Sequence, residues 1–298
     1  MKIISIYIAG LLLLFANHIN ATEAFEAYWY DGNAEISVYD LEEVRYSETR
    51  KGKRIMVFVT EPLRRTTLIK PDTLLPYEER YNVIKLNDIR KFTTGIYDYS
   101  LMTSVFSSVG KYDGIPDMAA LKVTFGSQEW CGNVFEIIKR NKKELSGRLF
   151  SYFESDGEPA IRIKDAERKV FEDNLWILIR ELNGPFMAVN SKRQIEIIPS
   201  AWQRRKQHVP LQHGIAIIEK KQTGKIATPA GRFPTYQFVW TIGEKKTAAW
   251  VEQDWPHKIV KWVEPDGTTG HLISSSRQPY WRQHSNNDKY LRRKLNVE

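Results

Sequence analysis

Between residues 223 and 281 the apolar and polar positions alternate in short runs separated by turn-forming residues. Tyr236, Phe238, Trp240 and Ile242 fall on every second position and share one face of an extended segment, while Thr235, Gln237 and Thr241 face the other way. Gly243, Glu244 and Lys245 turn the chain into a second strand over residues 246–252. Trp255-Pro256 ends that strand, because proline has no N–H to give a ladder. A third strand, 258–264, closes at Pro265-Asp266-Gly267, where proline presets φ and glycine accepts a positive φ. A fourth spans 268–276. The pattern predicts an antiparallel meander that buries one broad aromatic face.

The rest of the chain continues in the same vein. Residues 34–38 alternate as a half-buried strand, and 44–50 and 54–60 read as a hairpin around Lys51-Gly52-Lys53. Residues 64–81 hold Pro71 and Pro76 and predict a loop. Two long strands are expected over 82–91 and 96–108, an exposed connection over 109–118, and two more strands around the corner Trp130-Cys131-Gly132. Residues 148–154 form another strand. One helix is expected, over 165–184. Asp165 caps it, Phe171, Leu175, Leu178, Ile179 and Leu182 recur at helical spacing, and Gly184-Pro185 stops it. Strands over 195–198 and 215–221 then flank a basic loop from Trp202 to His213.

These elements predict a mostly β fold, α+β at most, built of antiparallel twisted sheets or an open barrel with one packed helix. Residues 22–160 form an N-terminal antiparallel β region and 186–298 a C-terminal meander region, as two units or one continuous domain.

Composition changes the picture in one respect: where the protein resides. Lys2 followed by an apolar run from Ile3 to Phe15 and a small-residue site at Ala21 reads as a signal peptide over residues 1–21. The run is shorter than the 20 or so residues that span a bilayer. An exported protein, periplasmic and not integral to the membrane, is expected. The net charge of +8 at pH 7, one less once the leader is removed, then points to solubility or to an anionic envelope polymer or lipid rather than to nucleic acid. A pore-forming barrel fits poorly, because Lys245, Lys246, Lys258 and Lys261 would interrupt its apolar bands.

The short catalytic, dinucleotide, phosphate-loop and metal motifs are missing from the sequence, so no cofactor is expected and the enzyme reading weakens. Cys131 is the sole cysteine; an exported chain with one cysteine has no internal disulfide. It reads as a small buried hydrophobe, with a nucleophile as the alternative. His208 and His213 lack a third ligand at metal spacing. The aromatic crowd offers more. Tyr236, Trp250, Trp255 and Trp262 are the candidate ligand-binding residues, on the argument that a curled sheet lined by rings holds an apolar ligand. Trp240 is expected in the core, and Trp255, in a turn, is expected to be the most exposed tryptophan of the meander.

The segment Thr228-Pro229-Ala230-Gly231-Arg232-Phe233, with Tyr236 and then Ile259-Val260-Lys261-Trp262, resembles exported bacterial proteins classed only as domains of unknown function. The blocks 28–41, 93–106 and 125–133 are similar to those of uncharacterised bacterial envelope proteins. The resemblance implies a β-rich envelope protein and carries no activity, so no site residue is transferred. The functional expectation is a non-enzymatic binding or carrier protein for an apolar or anionic envelope component or a protein partner. The alternative is an envelope hydrolase using Cys131 or an acid pair.

Overall fold

A computed structural model describes residues 21–112 and 114–298. The predicted leader lies outside the described residues except for Ala21, where helix α1 (Ala21–Trp29) begins. Fifteen strands follow and join one sheet. The first eight are β1 (Ala34–Arg45), β2 (Glu48–Arg64), β3 (Arg80–Thr94), β4 (Tyr97–Ser108), β5 (Ala120–Glu129), β6 (Gly132–Arg140), β7 (Glu144–Ser151) and β8 (Ala160–Lys164). The remainder are β9 (Lys169–Phe171), β10 (Ser191–Ile198), β11 (Gly214–Thr228), β12 (Gly231–Ile242), β13 (Lys245–Glu252), β14 (Ile259–Val263) and β15 (Thr269–Gln278).

The chain meanders outward from β1 to β8, jumps to the opposite edge at β9, and meanders back until β15 pairs with β1. Every ladder is antiparallel except β9–β10. The jump dictates the shape. A flat sheet of this size would hold its edges roughly 65 Å apart, at about 4.8 Å per strand. Residues 165–168 can reach only about 18 Å. The sheet therefore curls until its two edges lie close together, yet they share no ladder and the sheet is not closed into a barrel.

Inside the curl sits α2 (Glu172–Leu178), with Glu172 through Ile177 all buried. A helix wrapped on all sides needs no amphipathic stripe. That is why its real extent differs from the predicted 165–184: Asp165 takes a left-handed φ and opens a 3-10 turn, and Lys169–Phe171 are drawn off as β9. Two further short helices, α3 (Ala201–Gln207) and α4 (Tyr290–Leu295), occupy stretches read as loop and tail. Among the described residues no helix is long and apolar enough to cross a membrane.

Register explains the inner face. Phe238 lies opposite Ala249, Ala249 opposite Trp262, Trp262 opposite Gly270, and Gly270 opposite Leu41. The Trp262 ring covers Gly270 so closely that a Cβ there would sit 2.0 Å from it. Phe58, Leu86, Val105, Val123 and Ile138 make a second row across β2–β6. The turns at Gly95-Ile96, Trp130-Cys131, Gly243-Glu244 and Pro265–Gly267 fall where the sequence places them. The hairpin expected at Lys51-Gly52-Lys53 does not. The chain turns at Tyr46-Ser47, both at positive φ, and Gly52 continues β2 because a Cβ would meet the Lys91 carbonyl oxygen at 2.2 Å.

Candidate functional site

The first turn of α2 carries three polar side chains into the interior. Asn174 donates from Nδ2 to the Met118 carbonyl at 2.9 Å, and its Oδ1 accepts from the Ser107 hydroxyl. Glu172 accepts from the Trp240 indole N–H at Oε1 and from the Ser200 backbone N–H at Oε2, each at 2.9 Å. It forms no ion pair with any described residue, and burial pushes its carboxyl up to about 7 against the two donors that favour the anion. Asp173 follows, raised to about 6 by burial first of all.

Most of the other interior charges are paired with an opposite charge. Arg54 grips Asp88 with two bonds of 2.7 and 2.6 Å, and its guanidinium lies between the rings of Trp176 and Trp262, 4.2 and 4.4 Å from their centroids. Glu43 accepts from Arg90, Lys206 and the Trp202 indole N–H; Glu264 pairs with Arg90 and Lys206. Burial would raise Glu264, but Arg90 and Lys206 outweigh it and hold the carboxyl at about 2. Arg180 pairs with Glu35 and donates to the carbonyls of Pro256 and His257. Groups paired in this way hold the curl together.

Of the clefts that open beside α2 among the described residues, two have a buried charge-bearing side chain in their walls. The larger, about 700 Å³, lies at the mouth of the curl between α3 with its following loop and the β12–β13 turn. Val209, Pro210, Ile242 and Pro265 give it apolar walls, Gln203, Gln207 and Gln212 polar ones, and Glu172 its buried acid. Around the same end of the sheet the hairpin tips expose Ile96 (83%) and Trp130 (71%). The smaller cleft, about 490 Å³, lies by the β9–β10 edge and the 3-10 turn that forms the seam to β8, with Arg140, Asn174, Leu178 and Ile195 in its walls.

The structure scatters the four aromatic candidates. Trp262 is fully buried and packs edge-on to Tyr39 and Trp176. Tyr236 is half-buried on the same inner face, beneath the Lys220 ammonium. Trp250 points to the outer face, in a shallow hollow with Gln237 and Lys246. Trp255 is half-buried against Tyr28, just before a cis peptide to Pro256; it is more exposed than Trp240 and Trp262, and Trp250 is half-buried like it. Trp240 is in the core as expected. None of the four lines the mouth cleft.

Cys131 is corrected outright. It is exposed, because the two-residue tip between β5 and β6 has no layer above it. Its backbone N–H donates to Glu129, whose carboxylate also raises the thiol above its ordinary value, so the nucleophilic thiolate is disfavoured. His208 lies beside Arg205 and Asp156, and the described residues hold no cluster of three metal-ligating side chains.

Glu172 and Arg140 are the residues that sequence reasoning missed. Arg140 was legible: Val134, Glu136, Ile138 and Arg140 share one phase of a strand, and all four are buried. A charge on the apolar phase signals an interior role. Glu172 had no such signal, since its burial depends on the sheet wrapping the whole helix. The chain matches no family model, no curated protein and no solved structure.

Proposed function

We propose that this chain is an exported, non-catalytic binding or carrier protein of the bacterial envelope, and that it holds a small amphipathic ligand in the mouth cleft. The observation that carries the reading is a cleft of about 700 Å³ with apolar walls and one buried acid that has no cation of its own. That volume lies in the range of small-molecule sites, which combine apolar walls with a few placed polar groups. The apolar body of the ligand rests on Val209, Pro210 and Ile242. Its uncharged polar end meets Glu172, whose protonated form supplies an O–H donor below about pH 7. The apolar hairpin tips at the same end suit a protein that collects such a ligand from a lipid surface. Export rests on the leader pattern of residues 1–21 and on the resemblance to envelope proteins.

A hydrolase would need a second acid held near Glu172, and the other acid of the wall, Glu244, sits in the exposed β12–β13 turn. Native mass spectrometry of the protein purified from its own compartment tests the reading. We expect a co-purifying amphipathic molecule that is lost when Val209→Trp fills the cleft. Retention of the same mass by Val209→Trp places the ligand elsewhere and sinks the assignment.

A further inference from the structure

Five arginines are buried among the described residues: Arg54, Arg90, Arg140, Arg180 and Arg204. Four have a carboxylate. Arg54 pairs with Asp88, Arg90 with Glu43 and Glu264, Arg180 with Glu35, and Arg204 with Glu136. Arg140 is the exception. It is 6% exposed and donates only to backbone carbonyls: Nε to Ala120 at 2.7 Å, Nη2 to Lys169 at 2.7 Å, and Nη1 to Ala166. It forms no ion pair with any described acid.

A buried full charge without a counter-ion is costly, and proteins ordinarily pair it or neutralise it. Guanidinium cannot neutralise itself near pH 7, so a partner anion is the remaining route. Three of its five N–H groups are used, which leaves one free on each terminal nitrogen. Arg140 is among the residues that line the seam cleft, a space of about 490 Å³.

The acids around this cleft are committed or distant from Arg140. Glu196 is shared by Lys169 and Arg168, and Asp117 accepts from the Gly110 N–H and from Asn183. Glu167 sits on the exposed rim. Arg193 adds a cation at the opening, with Nη1 on the Phe186 carbonyl. Asn174 and Gln194 add polar groups, and Leu178, Phe186, Ile195 and Ile215 give the wall an apolar part.

We propose that the seam cleft is a second binding site, for an anionic amphiphile whose carboxylate or other oxyanion head pairs with Arg140 and whose chain lies on those four residues. This site is distinct from the mouth cleft and does not depend on the reading given for it.

The test titrates the mature chain by calorimetry with dodecanoate below its micelle concentration, with dodecanol, and with inorganic phosphate. Dodecanoate should bind about tenfold or more tightly than dodecanol, since the chains match and only the charge differs. Ile215→Trp fills the wall at a half-exposed position, leaves Arg140 in place, and should weaken dodecanoate about tenfold or more. Arg140→Met should do the same, and Arg140→Lys, which keeps the charge, should recover part of the loss if the methionine variant folds poorly. Val209→Trp in the mouth should leave the affinity unchanged. Measured in Val209→Trp, in which the mouth cleft is filled, equal binding of dodecanoate and dodecanol overturns the proposal. So does loss of binding in Val209→Trp with retention in Ile215→Trp. Phosphate binding more tightly than dodecanoate, and weakened by Ile215→Trp, would assign Arg140 to a free oxyanion and overturn the amphiphile.

Discussion

The mouth cleft and the seam cleft lie beside the same seven-residue helix, and each has one buried charge-bearing group without an opposite partner. In the mouth the group is an acid, Glu172; in the seam it is a base, Arg140. Burial disfavours the charged form of both, so the shifts run in opposite directions: Glu172 rises to about 7 and Arg140 falls to about 10. The consequences differ because the starting points differ. A carboxyl begins close enough to neutral pH that burial can keep its proton on, and Glu172 escapes the cost by losing its charge. A guanidinium begins so high that even a large downward shift leaves it cationic. The mouth therefore suits a neutral hydrogen-bonding group, while the seam calls for an anion.

The largest effect that would break this comparison is at Arg140. Arg140→Met leaves three carbonyls that span β5, the 3-10 turn and β9 without their donor. At about 1 to 3 kcal/mol for each unsatisfied buried group, with partial relief by water, a loss of about 3 to 5 kcal/mol is expected in denaturant unfolding. A loss below about 1 kcal/mol would mean that the seam does not rely on it.

Next comes the acid. Glu172 ionises near its ordinary 4.5 in the unfolded chain and near 7 in the fold. Below pH 4.5 both states hold the proton and the group costs nothing. As pH rises from 4.5 towards 7 the unfolded chain ionises first, so stability falls, by about 3 kcal/mol once pH passes 7. Asp173 adds the same trend between 3.8 and about 6. Glu264 runs the other way, its contribution lost as pH falls from 4.5 to about 2. Glu172→Gln should flatten the decline in stability between pH 5 and 8, read as melting temperature against pH. An unchanged slope would show that Glu172 is ionised in the fold throughout.

A smaller effect separates ligand from architecture. Val209 is 45% exposed, so Val209→Trp should shift the stability of ligand-free protein by no more than about 0.5 kcal/mol while abolishing any ligand-induced rise in melting temperature. The smallest is a control at the rim. Cys131→Ser, in an exposed tip away from both clefts, should stay within about 0.5 kcal/mol and bind as the parent does. A loss of 1 to 2 kcal/mol there would restore the packed-cysteine reading.

Legibility followed the range of the interaction. Turns set by local φ preference, such as Pro265-Asp266-Gly267, were readable. The hairpin at Tyr46-Ser47 was not, because two non-glycine residues adopt positive φ there while Gly52, the obvious turn former, is held in a strand by close approach to Lys91. The aromatic alternation correctly marked Trp240 and Phe238 as core. It could not separate Trp262, inside, from Trp250, outside, because the β13–β14 pairing shifts register between Trp250 and Val251.

By itself the sequence determined the β character, most of the hairpins and the inward phase of the strand that carries Phe238 and Trp240, since these depend on neighbours two to four residues apart. Tertiary structure alone decided that β8 and β9 lie at opposite edges of one sheet and that four residues join them. That link curls the sheet around α2. The curl buries Glu172 on a helix with no polar side left, and it brings Arg140 of β6 against the carbonyls that flank β9. Both clefts follow from contacts between residues tens of positions apart, and local periodicity carries no information about which distant charges end up without a partner.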